Sequence, residues 1–232
     1  MNIKSFIKGI GSQLRNLRSF LVLFYVPFLI FFLALAVLVK SLHNFGFSIL
    51  FRDVTALGNL PFYAGFISQL GGLLWAAGIT VSFFGYFFLR KLKIDLPQAQ
   101  RFLLHTSFFL LVLLIDDYFL FHEEIAQEYL HISEKFVYLA YGILLVLYFY
   151  LNSKEILSSE YLILLLGFVF FGLSILFDVI PEQLYENSYL LNKLEIFVED
   201  GFKFTGIATW VAFIIRYNFQ IFSNLLGKID TE

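Results

Sequence analysis

Six apolar runs, at about 20–39, 62–89, 102–121, 136–151, 161–177 and 200–222, dominate this 232-residue chain. A helix needs about 20 such residues to cross a bilayer. Lipid offers no partner to backbone polar groups, so runs of this length are solved as helices that bond internally. A soluble domain would carry about a quarter charged residues; here the fraction is 15%, and 32 Phe help to fill the difference. The pattern predicts an all-α polytopic membrane protein of six transmembrane helices. Residues 1–19 precede the spans, 20–222 contain them, and 223–232 form a tail.

The first nineteen residues carry Lys4, Lys8, Arg15 and Arg18, with Ile3, Phe6, Ile7, Ile10, Leu14 and Leu17 at steps of three and four. That spacing makes one apolar stripe on a helix with the basic residues opposite. Two readings stand: an amphipathic helix lying on an anionic leaflet, or a basic flank that orients the first span. No small-residue cleavage site follows, so the segment is expected to be retained.

Orientation follows from the basic residues beside the spans. The N-terminal segment, the 90–101 and 152–160 loops and the C-terminal tail, with Arg216 near the end of the last span, hold eleven of the 16 Lys and Arg and five of the 18 acids. The remaining loops and the span ends beside them hold thirteen acids. Six spans with both termini cytoplasmic satisfy every loop, and in a bacterium this means the inner membrane with the acidic face outward. A net charge of −2 offers no basic patch for nucleic acid. The absence of cysteine removes thiolate metal sites and cysteine nucleophiles.

Two series in the second span repeat every seven residues: Gly58, Gly65 and Gly72, and Gly71, Gly78 and Gly85. Ala64, Ser68, Ala76 and Ser82 extend the same narrow surface. Small residues so spaced let membrane helices approach closely. The packing reading outweighs that of a substrate slot.

Chemistry concentrates where carboxylates enter apolar runs, since an ionised group there requires a partner. In the third span, Asp116 and Glu123 are seven apart, as are Asp117 and Glu124; an unbroken helix would set His122 well to one side of them. Glu128 and His131 add a single Glu-x-x-His spacing, of which di-metal bundles use two. In the sixth span Glu195 and Glu199 share a face, while Glu199 and Lys203 are four apart, in the order that favours an intrahelical salt bridge; the alternative is a Glu–Lys pair whose lysine neutralises a site shared with the third span. Thr205 and Thr209 lead inward. Asp178 closes the fifth span on the same side. Of the histidines, His43, His105 and His131 read as loop, packing or interface residues, which leaves His122. The candidate catalytic set is Asp116, Asp117, His122, Glu123, Glu199, Asp200 and Lys203. Asp117, His122, Glu123 and Glu199 form an oxygen-rich set with one imidazole, suited to zinc, manganese or iron.

Asp116, Asp117, His122 and Glu123, followed later by Glu199, Asp200, Gly201 and Gly206, resemble a pattern in uncharacterised bacterial multi-pass inner-membrane proteins, which implies no particular reaction. Glu199, Asp200 and Lys203, with His122 from another helix, bear a weaker resemblance to CAAX-protease-like glutamate intramembrane proteases. Here the second acid is Asp, and the motif is on the last span, with no catalytic helices after it. The expected function is a metal-assisted membrane enzyme acting on a lipid or membrane-borne substrate. Its alternatives are an accessory subunit binding a membrane-protein partner, or a cation or proton transporter. Against transport, the inner halves of the spans offer only Thr80, Ser82, Thr106, Ser107 and Ser174.

Overall fold

The computed structural model describes residues 15, 18–19, 22–23, 25–27, 29–31, 33–34, 37, 54–61, 63–178 and 189–229; of residues 54, 178, 189–196 and 228–229 it describes the backbone only. The chain divides into two compact units, residues 1–64 and 65–232. In the first, the described residues between 15 and 37 are helical and Val54–Leu57 makes a single helical turn. Most of the expected amphipathic segment, much of the first span, and His43 lie outside the described residues.

Among its described residues, the second unit holds five long helices: α1 (Phe66–Lys91), α2 (Pro97–Phe119), α3 (Glu134–Ser158), α4 (Tyr161–Asp178) and α5 (Tyr189–Ile229). A nine-residue π-helix, Phe121–Tyr129, joins α2 to α3. No strand occurs among the described residues. Helices α1, α2 and α3 are long and apolar enough to cross a membrane, and Tyr161–Phe177 of α4 is apolar but shorter. The protein is therefore all-helical and of membrane type. At 1.5 Å per residue, the 41 residues of α5 reach about 60 Å.

Local chemistry sets the boundaries. Gly65, at φ 67°, turns the chain into α1. Pro97 opens α2, where its missing N–H leaves no bond unmade. Leu120 then stops α2 in the left-handed conformation, φ 51°, an uncommon place for a branched side chain. The sequence suggested an unbroken third span to residue 121; the structure ends it at Phe119 and bends the chain at Leu120.

Helix α1 packs on α2 and α5 through Gly71, Gly78 and Gly85. A Cβ at Gly78 would stand 3.0 Å from Leu110 and 3.2 Å from Val211. At Gly85 it would stand 3.0 Å from Leu103 and overlap Asn218 Oδ1. This series is a packing groove between two helices. The other series is not one surface, because Gly65 lies before the first turn of α1 and Gly58 in the turn after Val54–Leu57. Helices α4 and α5 meet at a second close approach, where a Cβ on Gly206 would lie 3.2 Å from the Gly167 carbonyl. Trp210 fills the centre, with its ring centroid 4.9 Å from Phe168, 5.5 Å from Phe109 and 6.0 Å from Trp75.

The half of the bundle away from the acids is less dry than its apolar runs suggest. Thr106 gives its hydroxyl proton to the Phe102 carbonyl, so the Tyr148 hydroxyl donates to Thr106 at 2.9 Å. Asn152 donates to the Tyr148 carbonyl and accepts from His105 Nδ1 at 3.0 Å. The Tyr217 hydroxyl donates to Glu155 at 2.5 Å, and Arg216 holds Glu160 by two nitrogens. That guanidinium keeps the Glu160 carboxyl below its ordinary range. These residues tie α2, α3 and α5 together and fix the loop before α4.

Candidate functional site

Successive helical residues point about 100° apart, and Asp116 and Asp117 accordingly serve different neighbours. Asp116 faces α3 and the start of the π-helix. Its Oδ1 accepts the Tyr141 hydroxyl at 2.6 Å and the His122 backbone N–H at 3.1 Å. His122 Nδ1 lies 2.9 Å from both carboxylate oxygens. The left-handed turn at Leu120 makes this possible. It folds His122 back onto Asp116 within six residues, where a continuous helix would have held the two side chains apart. The Tyr138 ring packs against the imidazole with centroids 5.2 Å apart.

Asp117 faces α1 and α5. Its Oδ1 is 2.5 Å from Lys203 Nζ, and Gly71 of α1 lies beside the carboxylate. Asp117 is 13% exposed and Lys203 41%, so the carboxylate is the buried member. Lys203 therefore bridges α5 to α2, where helical spacing had suggested Glu199 as its partner. Beside the pair is a recess of about 30 Å³, lined by Ser68, Asp117, Asp200, Lys203 and Phe204 among others. That is room for about one water molecule.

The two halves sense each other electrostatically, since Lys203 acts on His122, and Glu123 on both. The hydrogen bond that His122 donates to Asp116 raises the His122 pKa above its ordinary 6.5; burial and Lys203 oppose it, and the charges of Asp116 and Glu123 add to it. A group whose pKa rises on folding stabilises the fold fully below its unfolded value and ceases to do so above its folded one. The thermal advantage of wild type over His122→Gln is therefore expected to be greatest below pH 6.5 and to shrink as pH climbs through the raised value. An advantage that grows with pH in parallel melting curves would contradict this.

Of the four expected metal ligands, His122 and Glu123 stand together, with Nε2 and Oε1 3.5 Å apart. Asp117 is engaged by Lys203. Glu199 lies on α5 one turn before Lys203. Among the described residues, no three His, Cys, Asp or Glu are grouped to hold a metal ion. Asp200 is exposed at the rim of the recess. The side chains of Asp178 and Glu195 lie outside the described residues. Thr205 and Thr209 bond to the Gly201 and Thr205 carbonyls of their own helix and extend no polar track. Tyr138 and Tyr141 were not among the expected residues. Their signal was two tyrosines three apart in the run that follows the acidic motif, hence on one helical face.

A membrane-type helical bundle with an aspartate–histidine pair and an aspartate–lysine pair at one end is the class that fold and site define. The chain belongs to the family described as Domain of unknown function (DUF8692), which it matches over residues 22–217. No curated protein and no solved structure matches it.

Proposed function

We propose that the chain is a membrane enzyme in which His122, oriented by Asp116, is the general acid–base group for a lipid or membrane-borne substrate. One observation carries the reading. His122 Nδ1 donates to Asp116 from 2.9 Å, which leaves Nε2 as the nitrogen that takes or gives a proton. An orienting carboxylate behind the imidazole is the arrangement general-base catalysis needs. Lys203, 41% exposed, supplies a nearby positive charge for an oxygen that becomes anionic during the reaction. The recess is small, about 30 Å³, so the substrate's reacting group meets the site at its open edge. Six spans, both termini in the cytoplasm and a bacterial inner-membrane location remain our proposal from the charge distribution; that topology turns this end of the bundle outward.

Two features favour a second reading, an accessory subunit of a membrane complex: the charges are paired internally and the recess is small. Transport has less support. Between Lys203 and Asn218, α5 presents Ile207, Trp210, Val211, Phe213 and Ile214, each at most 3% exposed, with no charged group among them.

The test is turnover. The purified chain, reconstituted in vesicles of bacterial polar lipid, is expected to form a lipid-derived product detectable by mass spectrometry. Losing a general base lowers rates by about 100-fold or more, and His122→Gln is expected to show that loss. No product from wild type, or equal product from the variant, overturns the enzyme reading and turns attention to co-purifying membrane proteins.

A further inference from the structure

We propose that Tyr141 is the positioning residue of this site, holding Asp116 so that the imidazole of His122 keeps its proton on Nδ1 and its free lone pair on Nε2. The inference rests on the acid–base reading of His122 and adds a residue from a different helix.

His122 stands between two carboxylates that compete for its proton. Asp116 meets Nδ1 with both oxygens at 2.9 Å, while Glu123 Oε1 lies 3.5 Å from Nε2. A neutral imidazole has one N–H, and the carboxylate that holds it selects the tautomer. Were Glu123 to win, the lone pair would turn inward to Asp116 and the outer nitrogen would carry no basicity. The Asp116 carboxylate turns easily about its terminal torsion. Two donors to Oδ1 fix that torsion, the His122 backbone N–H at 3.1 Å and, closer, the Tyr141 hydroxyl of α3 at 2.6 Å. The same helix face provides Tyr138, whose ring lies against the imidazole. Thus α3 fixes the carboxylate with one tyrosine and flanks the ring with the other. Lys203, from α5, is the remaining charge that acts on His122.

A tyrosine that only ties α3 to α2 would affect stability and leave the tautomer alone. The two roles separate by nitrogen NMR of the full chain, labelled at histidine, in lipid nanodiscs above the titration of His122. Comparison with His122→Gln identifies the resonance among the four histidines. Wild type is expected to show the Nδ1–H form, and Tyr141→Phe a several-fold larger share of Nε2–H. An unchanged tautomer in a folded Tyr141→Phe overturns the positioning role and leaves the acid–base reading standing. A wild type already in the Nε2–H form overturns that reading itself. If Tyr141→Phe does not fold, the unmodified chain decides: a slowly exchanging Tyr141 hydroxyl proton correlated to the Asp116 carboxyl carbon supports the role, and its absence overturns it.

Discussion

Gly85→Ala is expected to destabilise the bundle by about 3 kcal/mol, the upper end of what overpacking by a methyl costs. The added Cβ would overlap Asn218 Oδ1 and stand 3.0 Å from Leu103. Asn218 has little room to yield. It is 4% exposed, and its amide donates to the Ile214 carbonyl of its own helix at 3.0 Å. Titration with SDS, followed by circular dichroism, measures the loss. Gly142→Ala and Gly172→Ala are internal controls, since nothing lies within 4 Å of a Cβ at either position. Alanine exceeds glycine in helix propensity by about 1 kcal/mol, so these two should hold or raise stability. The double variant Gly85→Ala/Asn218→Ala should recover part of the loss, as residues in contact couple. Should Gly85→Ala be tolerated as well as Gly142→Ala, the close approach of α1 to α5 is wrong.

Lys203→Met is expected to cost about 2 kcal/mol by leaving the Asp117 carboxylate in place without its cation. Breaking a fully buried pair costs about 3–5 kcal/mol. The smaller value allows for Lys203 being 41% exposed, where water screens much of the attraction. Asp117→Asn/Lys203→Met removes both charges and should regain much of that stability, since no unpaired ion is left. The same unfolding titration reads both variants. A double variant less stable than Lys203→Met would show that the pair is not the main partnership of either residue. An intrahelical Glu199–Lys203 bridge would instead leave the double variant only as stable as Lys203→Met, because Asp117 would not be missed.

The helices α1 to α4 were legible in the sequence because length and apolarity suffice to mark a span, and the glycine series at 71, 78 and 85 identified the packing groove. The site was legible by residue type, and its partnerships only in outline, as a lysine shared between the third and sixth spans. Helical spacing paired Lys203 with Glu199, but tertiary approach places Asp117 2.5 Å away. The break at Leu120 carried no Gly, Asn or Pro to announce it, and a leucine in the left-handed region is set by the surrounding fold. For this reason His122 was placed to one side of Asp116 when it folds back onto it. Tyrosine is the other blind spot. Counted as apolar, Tyr141, Tyr148 and Tyr217 merge into their spans, yet each hydroxyl donates to a polar group. A dry inner half was the consequence of counting them so.

The charged groups of the bundle lie toward its two ends, and the layer of Ile207, Trp210, Val211, Phe213 and Ile214 separates them. In a bilayer such a layer is an electrical insulator, and voltage falls mainly across it. Moving one elementary charge through the full drop is worth about 2.3 kcal/mol per 100 mV. His122 and Asp116 lie to one side of the layer and cross little of that field. Their protonation follows the acidity of the solution they face, and hardly changes whether the membrane is energised or not.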